Sequence, residues 1–99
     1  MTEPVNLILD TDFDTDCDDV GALAVLHALW RRGEVNPLGV VCSVPVLWTA
    51  ACAAAVNEAC GRADLPVGLV AVPKWESDPR FADYRRHQEA ARQMYGGAL

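Results

Sequence analysis

Six of the ten residues from Asp10 to Asp19, DTDFDTDCDD, are carboxylates, and they stand directly behind the apolar run Val5-Asn6-Leu7-Ile8-Leu9. Two carboxylates about 4 Å apart repel by roughly 4 kcal/mol at an effective dielectric near 20. A folded cluster of this kind must therefore bind a cation or raise some of its pKa values. Carboxylate oxygens at this density suit a hard cation, which lowers the pKa of a bound water and presents it to an electrophile.

The elements on either side must hold this loop open at one end of a sheet. Val5–Leu9 is short, apolar on both faces and β-branched at Val5 and Ile8, which predicts a central parallel strand covered by helices on both sides. Asp18 and Asp19 fit an N-cap and first turn, and a helix follows over roughly Asp19–Arg32, apolar nearly all round through Val20, Leu23, Val25, Leu26, Leu29 and Trp30. Arg31 and Arg32 suit its C-terminal end, and Gly33 supplies the residue after it. A second strand, Leu38–Ser43, should lie parallel to the first after a right-handed crossover, with its carboxyl end on the same rim as the loop. Pro45 fits a first-turn position, Ala50–Cys60 reads as an Ala-rich helix ended by Gly61, and Pro66–Val72 as a third strand. Beyond Pro73 the composition turns polar. Asp78-Pro79 reads as N-cap and first position of a helix to about Tyr95, with Phe81, Tyr84, Gln88, Ala91 and Tyr95 on one face and Gly96-Gly97 closing it. The expectation is one α/β domain over residues 1–99, a Rossmann-like parallel sheet in β-α-β-α-β order with flanking helices and a C-terminal helix.

Composition narrows the partners. Ninety-nine residues with 52% hydrophobic content leave room for one core. A net charge of -6, with eight scattered basic residues, argues against nucleic acid or an anionic membrane as partner. No basic start with an apolar stretch marks a secretory signal, no window suits a membrane span, and a cytoplasmic address is expected. Cys17, Cys42, Cys52 and Cys60 contain no C-x-x-C pair, so reduced thiols are expected.

Simpler explanations account for fewer of the loop's residues. Helix capping uses one or two carboxylates, not six. An EF-hand would need Gly at its sixth position and Glu at its twelfth, where Thr15 and Gly21 stand, and a helix before the loop in place of a strand. The haloacid dehalogenase phosphatases begin with a strand and Asp-x-Asp-x-Thr. Asp10-Thr11-Asp12-Phe13-Asp14 matches that except at Asp14, and leaves Asp16, Asp18 and Asp19 unexplained.

ILDTDFDTDCDDVGAL resembles the N-terminal signature of the nucleoside hydrolases of the inosine-uridine preferring type, whose first strand runs into an Asp-x-Asp loop ending in Asp-Asp at a helix start. Asp10, Thr11, Asp12, Asp16, Asp18 and Asp19 fit the longer form of that loop, and LGVVCS and GRADLPVGLV are similar to the family's second and third strands. The similarity covers about residues 5–72, with residues 73–99 a polar loop and helix.

The resemblance implies a Ca²⁺ held by the loop and contacting both water and ribose hydroxyls. Asp12 would be a metal ligand and the general base for the metal-bound water, and Asp19 a second, bidentate ligand. Asp18 would accept a hydrogen bond from a ribose hydroxyl, with Asp10 bracing the ligands and Asp16 supporting the loop. The reaction implied is hydrolysis of the N-glycosidic bond of a ribonucleoside through an oxocarbenium-like state. Two departures stand out: Asp14 occupies a position usually held by Gly, and Val46 one expected to carry an Asn reaching the ribose. Family members are several-fold longer and draw further calcium ligands from later chain, so a truncated form or remnant is expected. A non-catalytic calcium-binding or scaffold fragment is the alternative from a different class.

The remaining polar candidates read as structural. His27, mid-helix between Leu26 and Ala28, is expected to pack as a core histidine, and Trp48 to pack at a helix start. Cys17, among carboxylates, is a poor nucleophile, and His87 has no assigned role. Open sheet edges and unmatched helix faces predict a homo-oligomer, a dimer or aggregate in preference to a clean monomer.

Overall fold

The computed structural model describes residues 3–13, 17–72, 74 and 76–95, with the side chains of Gln88, Ala91, Arg92 and Tyr95 outside that set. Three parallel strands, β1 (Val5–Thr11), β2 (Val35–Cys42) and β3 (Val67–Leu69), lie side by side in that order. Helix α1 (Asp18–Arg31) joins the first two and α2 (Leu47–Ala59) the last two, and a 3-10 turn (Pro79–Phe81) leads into α3 (Ala82–Tyr95). The β-α-β-α-β order and parallel, Rossmann-like pairing are as the sequence predicts.

The position of β1 is not. It is an edge strand, and β2 is central, pairing on both sides. Among the described residues only one face of the sheet is covered, because α1 and α2 form a single layer, packing on β2 and on each other. Strand alternation shows the result: Leu7, Leu9 and Thr11 turn toward the helices while Ile8 stays 60% exposed, and Val35, Val40 and Cys42 are buried while Leu38 and Val41 are not. Leu23, Leu26, Ala53 and Leu65 complete the core. On α1, Val20 and Val25 are exposed, so the all-round apolar pattern has no second neighbour to meet.

Helix ends follow the sequence more closely at their C-termini. Gly33 and Gly61 both hold positive φ, 75° and 84°. Behind them the Glu34 and Arg62 amides bond back to the carbonyls of Leu29 and Asn57, which satisfies backbone acceptors that a continued helix would have used. The starts are shifted. Cys17, not Asp18, caps α1, and it does so without a side-chain hydrogen bond, leaving both Asp18 and Asp19 in the first turn. Helix α2 begins at Leu47 with Val46 as its cap, so Pro45 precedes the helix instead of opening it. At the last helix Asp78 does cap as expected, accepting the Arg80 amide at 2.9 Å with Pro79 beside it.

A polar pair sits inside the helix layer. His27 and Asn57 are 2% and 1% exposed, and His27 Nε2 donates to Asn57 Oδ1 at 2.7 Å. His27 is thus a structural histidine. Its Nδ1 and the Asn57 Nδ2 have no hydrogen-bond partner among the described residues. At the layer's edge the Arg62 guanidinium lies 4.7 Å from the centroid of the Trp30 ring, tying the end of α2 to α1. The predicted stripe on α3 is represented by half-buried Phe81 and Tyr84; its Gln88, Ala91 and Tyr95 side chains and the Gly96-Gly97 stop lie outside the described residues.

Candidate functional site

Backbone alternation builds the site at the carboxyl end of β1. Thr11 is buried at 3% and Phe13 at 8%, while Asp12 between them is exposed. The two buried neighbours anchor the chain on the core and turn the Asp12 carboxyl out to the rim. The end of β1 is held from the other strand as well: the Thr11 carbonyl accepts both the Ser43 amide at 2.8 Å and the Ser43 hydroxyl at 3.1 Å. Ser43 therefore belongs to the rim, as its place after β2 predicts.

Asp19 is brought to this rim by the first turn of α1. The Thr11 hydroxyl donates to Asp19 Oδ1 at 2.6 Å, a short charge-assisted bond across the loop. The Asp12 carboxyl lies against Asp19 as well, and hydrogen bonding and repulsion from Asp19, with a smaller contribution from Asp18, raise its pKa above 3.8. Asp18 and Asp19 occupy the positive end of the α1 dipole, which offsets part of the cost of clustering them. The structure thus brings together Asp12 and Asp19 with Asp18 nearby, and adds Thr11 as the residue that fixes the Asp19 orientation.

The other expected site residues are placed differently. Asp10 is exposed, and alternation sets it on the opposite face of β1 from Thr11. Its charge reaches the buried Cys42, whose thiol is pushed up by burial first and by Asp10 to a smaller extent. Asp16, like Asp14 and Thr15, lies outside the described residues. Among the described residues, no group of three or more His, Cys, Asp and Glu side chains converges on a point that could hold a metal ion.

Around the rim, Val46 is 5% exposed and belongs to the core-facing side of the α2 start, so it offers no polar group outward. Thr49 below it is buried and returns its hydroxyl to the Val46 carbonyl at 2.7 Å. Trp48 is half-buried in the first turn of α2. The four thiols are free, and burial raises Cys42 and Cys52, keeping them protonated at neutral pH. No helix among the described residues is long and apolar enough to cross a membrane.

No family model matches this chain, and no curated protein or solved structure is significantly similar to it. The chemistry of the site therefore rests on its own residues. Two adjacent carboxylates on a rigid strand end and helix start form an all-oxygen donor set of the kind that hard cations take. The Thr11 hydroxyl fixes the orientation of the Asp19 carboxylate. Sequence reasoning gave Thr11 no role and missed Phe13. The signal available for both was the in-out alternation of β1 continued four residues past Leu9, through Thr11 to Phe13.

Proposed function

We propose that the strand end, acidic loop and helix start over residues 10–19 form a Ca²⁺ site of nucleoside hydrolase type, serving hydrolysis of the N-glycosidic bond of a ribonucleoside to base and ribose. The observation that carries this reading is the juxtaposition of Asp12 and Asp19 with Asp19 oriented by Thr11. Seven positions apart in sequence, the two carboxylates fit the donor set of a hard cation. Their mutual repulsion, relieved in the metal-free chain by the raised pKa of Asp12, is what a divalent cation would neutralise.

In this reading Asp12 and Asp19 hold the cation, which supplies an activated water at neutral pH when bound. Asp12, the exposed member of the pair, would be placed to accept a proton from the attacking water as general base. Asp18, in the first turn beside Asp19, accepts a hydrogen bond from a ribose hydroxyl and fixes the sugar against the rim. Asp10, on the outer face of β1, contributes through its charge, and Asp16 supports the loop.

A calcium site takes six to eight oxygens, and the described residues supply part of such a set. The second reading is calcium binding without turnover inside a larger assembly. Incubation of the purified chain with inosine or uridine and Ca²⁺, with base release followed by chromatography, separates the two. Catalysis predicts release that chelation abolishes and that Asp12→Asn slows by about 100-fold or more. Release indifferent to both treatments, or no release, would remove the enzymatic reading.

A further inference from the structure

The uncovered face of the sheet presents Ile8, Leu38 and Val41, which are 60%, 48% and 39% exposed. Strand β3 adds Gly68 beside Val41, so the sheet has a shallow trough there instead of a further side chain. The trough is bounded by the Asn36 to Asn6 hydrogen bond of 2.8 Å at one end and by Asp10, paired with Val41 in register, at the other. A parallel sheet is ordinarily covered on both faces, and this one is not.

Helix α3 has the opposite character and packs chiefly on the 3-10 turn before it, away from its own sheet. The chain is correspondingly extended, 51 × 27 × 21 Å, with a radius of gyration of 14.9 Å against about 13 Å for a compact domain of this length. Residues 79–99 carry four arginines against Asp83 and Glu89, net +2, so of the total of -6 the remaining residues hold -8. Arg86, Ala90 and Met94 are exposed at i, i+4 and i+8, one stripe with a cation at one end that pairs on its own helix with the exposed Asp83, a small residue in the middle and an apolar tip that is 71% exposed.

We infer that the open face of the sheet seats α3 of a second copy of this chain, in a reciprocal two-fold dimer with Arg86 toward Asp10 and Met94 over Leu38 and Ile8. The dimensions agree. Arg86 to Met94 spans about 12 Å of helix and Val41 to Leu38 about 10 Å of strand. Ala90 lets the helix backbone come close to the sheet between the two ends, and the opposite charges set its direction. Two such seats together reach only the low end of specific interfaces, roughly 1,000 Å², so the dimer forms at micromolar concentration and weakens with salt.

Sedimentation of the full chain from about 1 to 200 µM tests this. The mass should climb from 10.7 kDa toward twice that value. Val41→Lys and Met94→Glu should each move the transition at least tenfold higher in concentration, because each damages both seats of its own homodimer. An equal mixture of the two variants should dimerise again, since the mixed pair keeps one intact seat. If Val41→Lys loses its circular dichroism signal, Ile8→Lys at the more exposed edge position takes its place. A wild-type monomer throughout the range, as α3 folded onto its own sheet would give, overturns the inference. So does a larger polydisperse species, a dimer that survives Met94→Glu, or a mixture that fails to recover, since these mean edge pairing or sheet-on-sheet contact.

Discussion

The Thr11 hydroxyl donates to Asp19 Oδ1 at 2.6 Å, joining the last residue of β1 to the first turn of α1 across the acidic loop. Thr11 is buried and Asp19 half-buried, so the bond fixes a carboxylate that would otherwise turn freely at a helix start. Thr11→Val keeps the shape and removes the donor. It should lower calcium affinity by about tenfold, as loss of an outer-shell partner does, and cost about 1 kcal/mol of stability. Calorimetric titration and urea denaturation of the same preparation measure the two. Unchanged affinity in a destabilised variant would make the bond purely structural.

Acid should act on this protein in two opposed steps. Asp19 and Asp18 raise Asp12 above 3.8 in the folded chain, so protonation there favours folding. That contribution is complete below 3.8 and is lost as pH rises through the raised value. Asp78 runs the other way, because Arg80 holds it down to about 2. Its contribution is present above 3.8 and is lost as pH falls toward 2. Melting curves of the metal-free chain should therefore show a gain on acidification toward 3.8 that Asp12→Asn abolishes. Below 3.8 they should show a loss that Asp78→Asn reduces, since Arg62 also holds Asp64 below its ordinary value. Calcium requires Asp12 ionised, so its affinity should fall with pH over the first range and its binding should release protons.

The His27 and Asn57 pair makes one good hydrogen bond in a buried layer and leaves a polar atom on each side without a protein partner. Removing one member should be expensive and removing both should not. His27→Leu alone strands the Asn57 carboxamide and should cost about 2 kcal/mol, whereas His27→Leu with Asn57→Leu should fall within about 1 kcal/mol of the parent. Urea denaturation of the three proteins gives the comparison. Equal losses in the single and double variants would mean that packing volume, not polarity, governs the position.

Much of this fold is written in local pattern. The apolar runs at Val5 and Leu38, the Gly33 and Gly61 stops and the Asp78-Pro79 start all appear where their chemistry places them. What was not legible is tertiary. A run such as Val5–Leu9 reads as buried on both faces because period alone cannot say whether a second helix layer exists, and here Ile8 meets none. The start of α1 moved to Cys17 because a run of aspartates offers several equivalent capping candidates. In the site, the density of carboxylates marked the loop and the resemblance singled out Asp12 and Asp19, but that these two lie together depends on Phe13 and Thr11 anchoring the chain on the core. Asn57, thirty residues from His27, carried no signal linking the two before the helices were packed.

The central claim is that Asp12 and Asp19 jointly hold a hard cation, and calorimetric titration of the chain with Ca²⁺ beside Asp12→Asn and Asp19→Asn tests it most directly. The account predicts saturable binding with proton release in the parent chain, weakened at least tenfold in each variant because each removes one of two converging carboxylates. Binding of equal strength in all three proteins, or no binding in any, would contradict it.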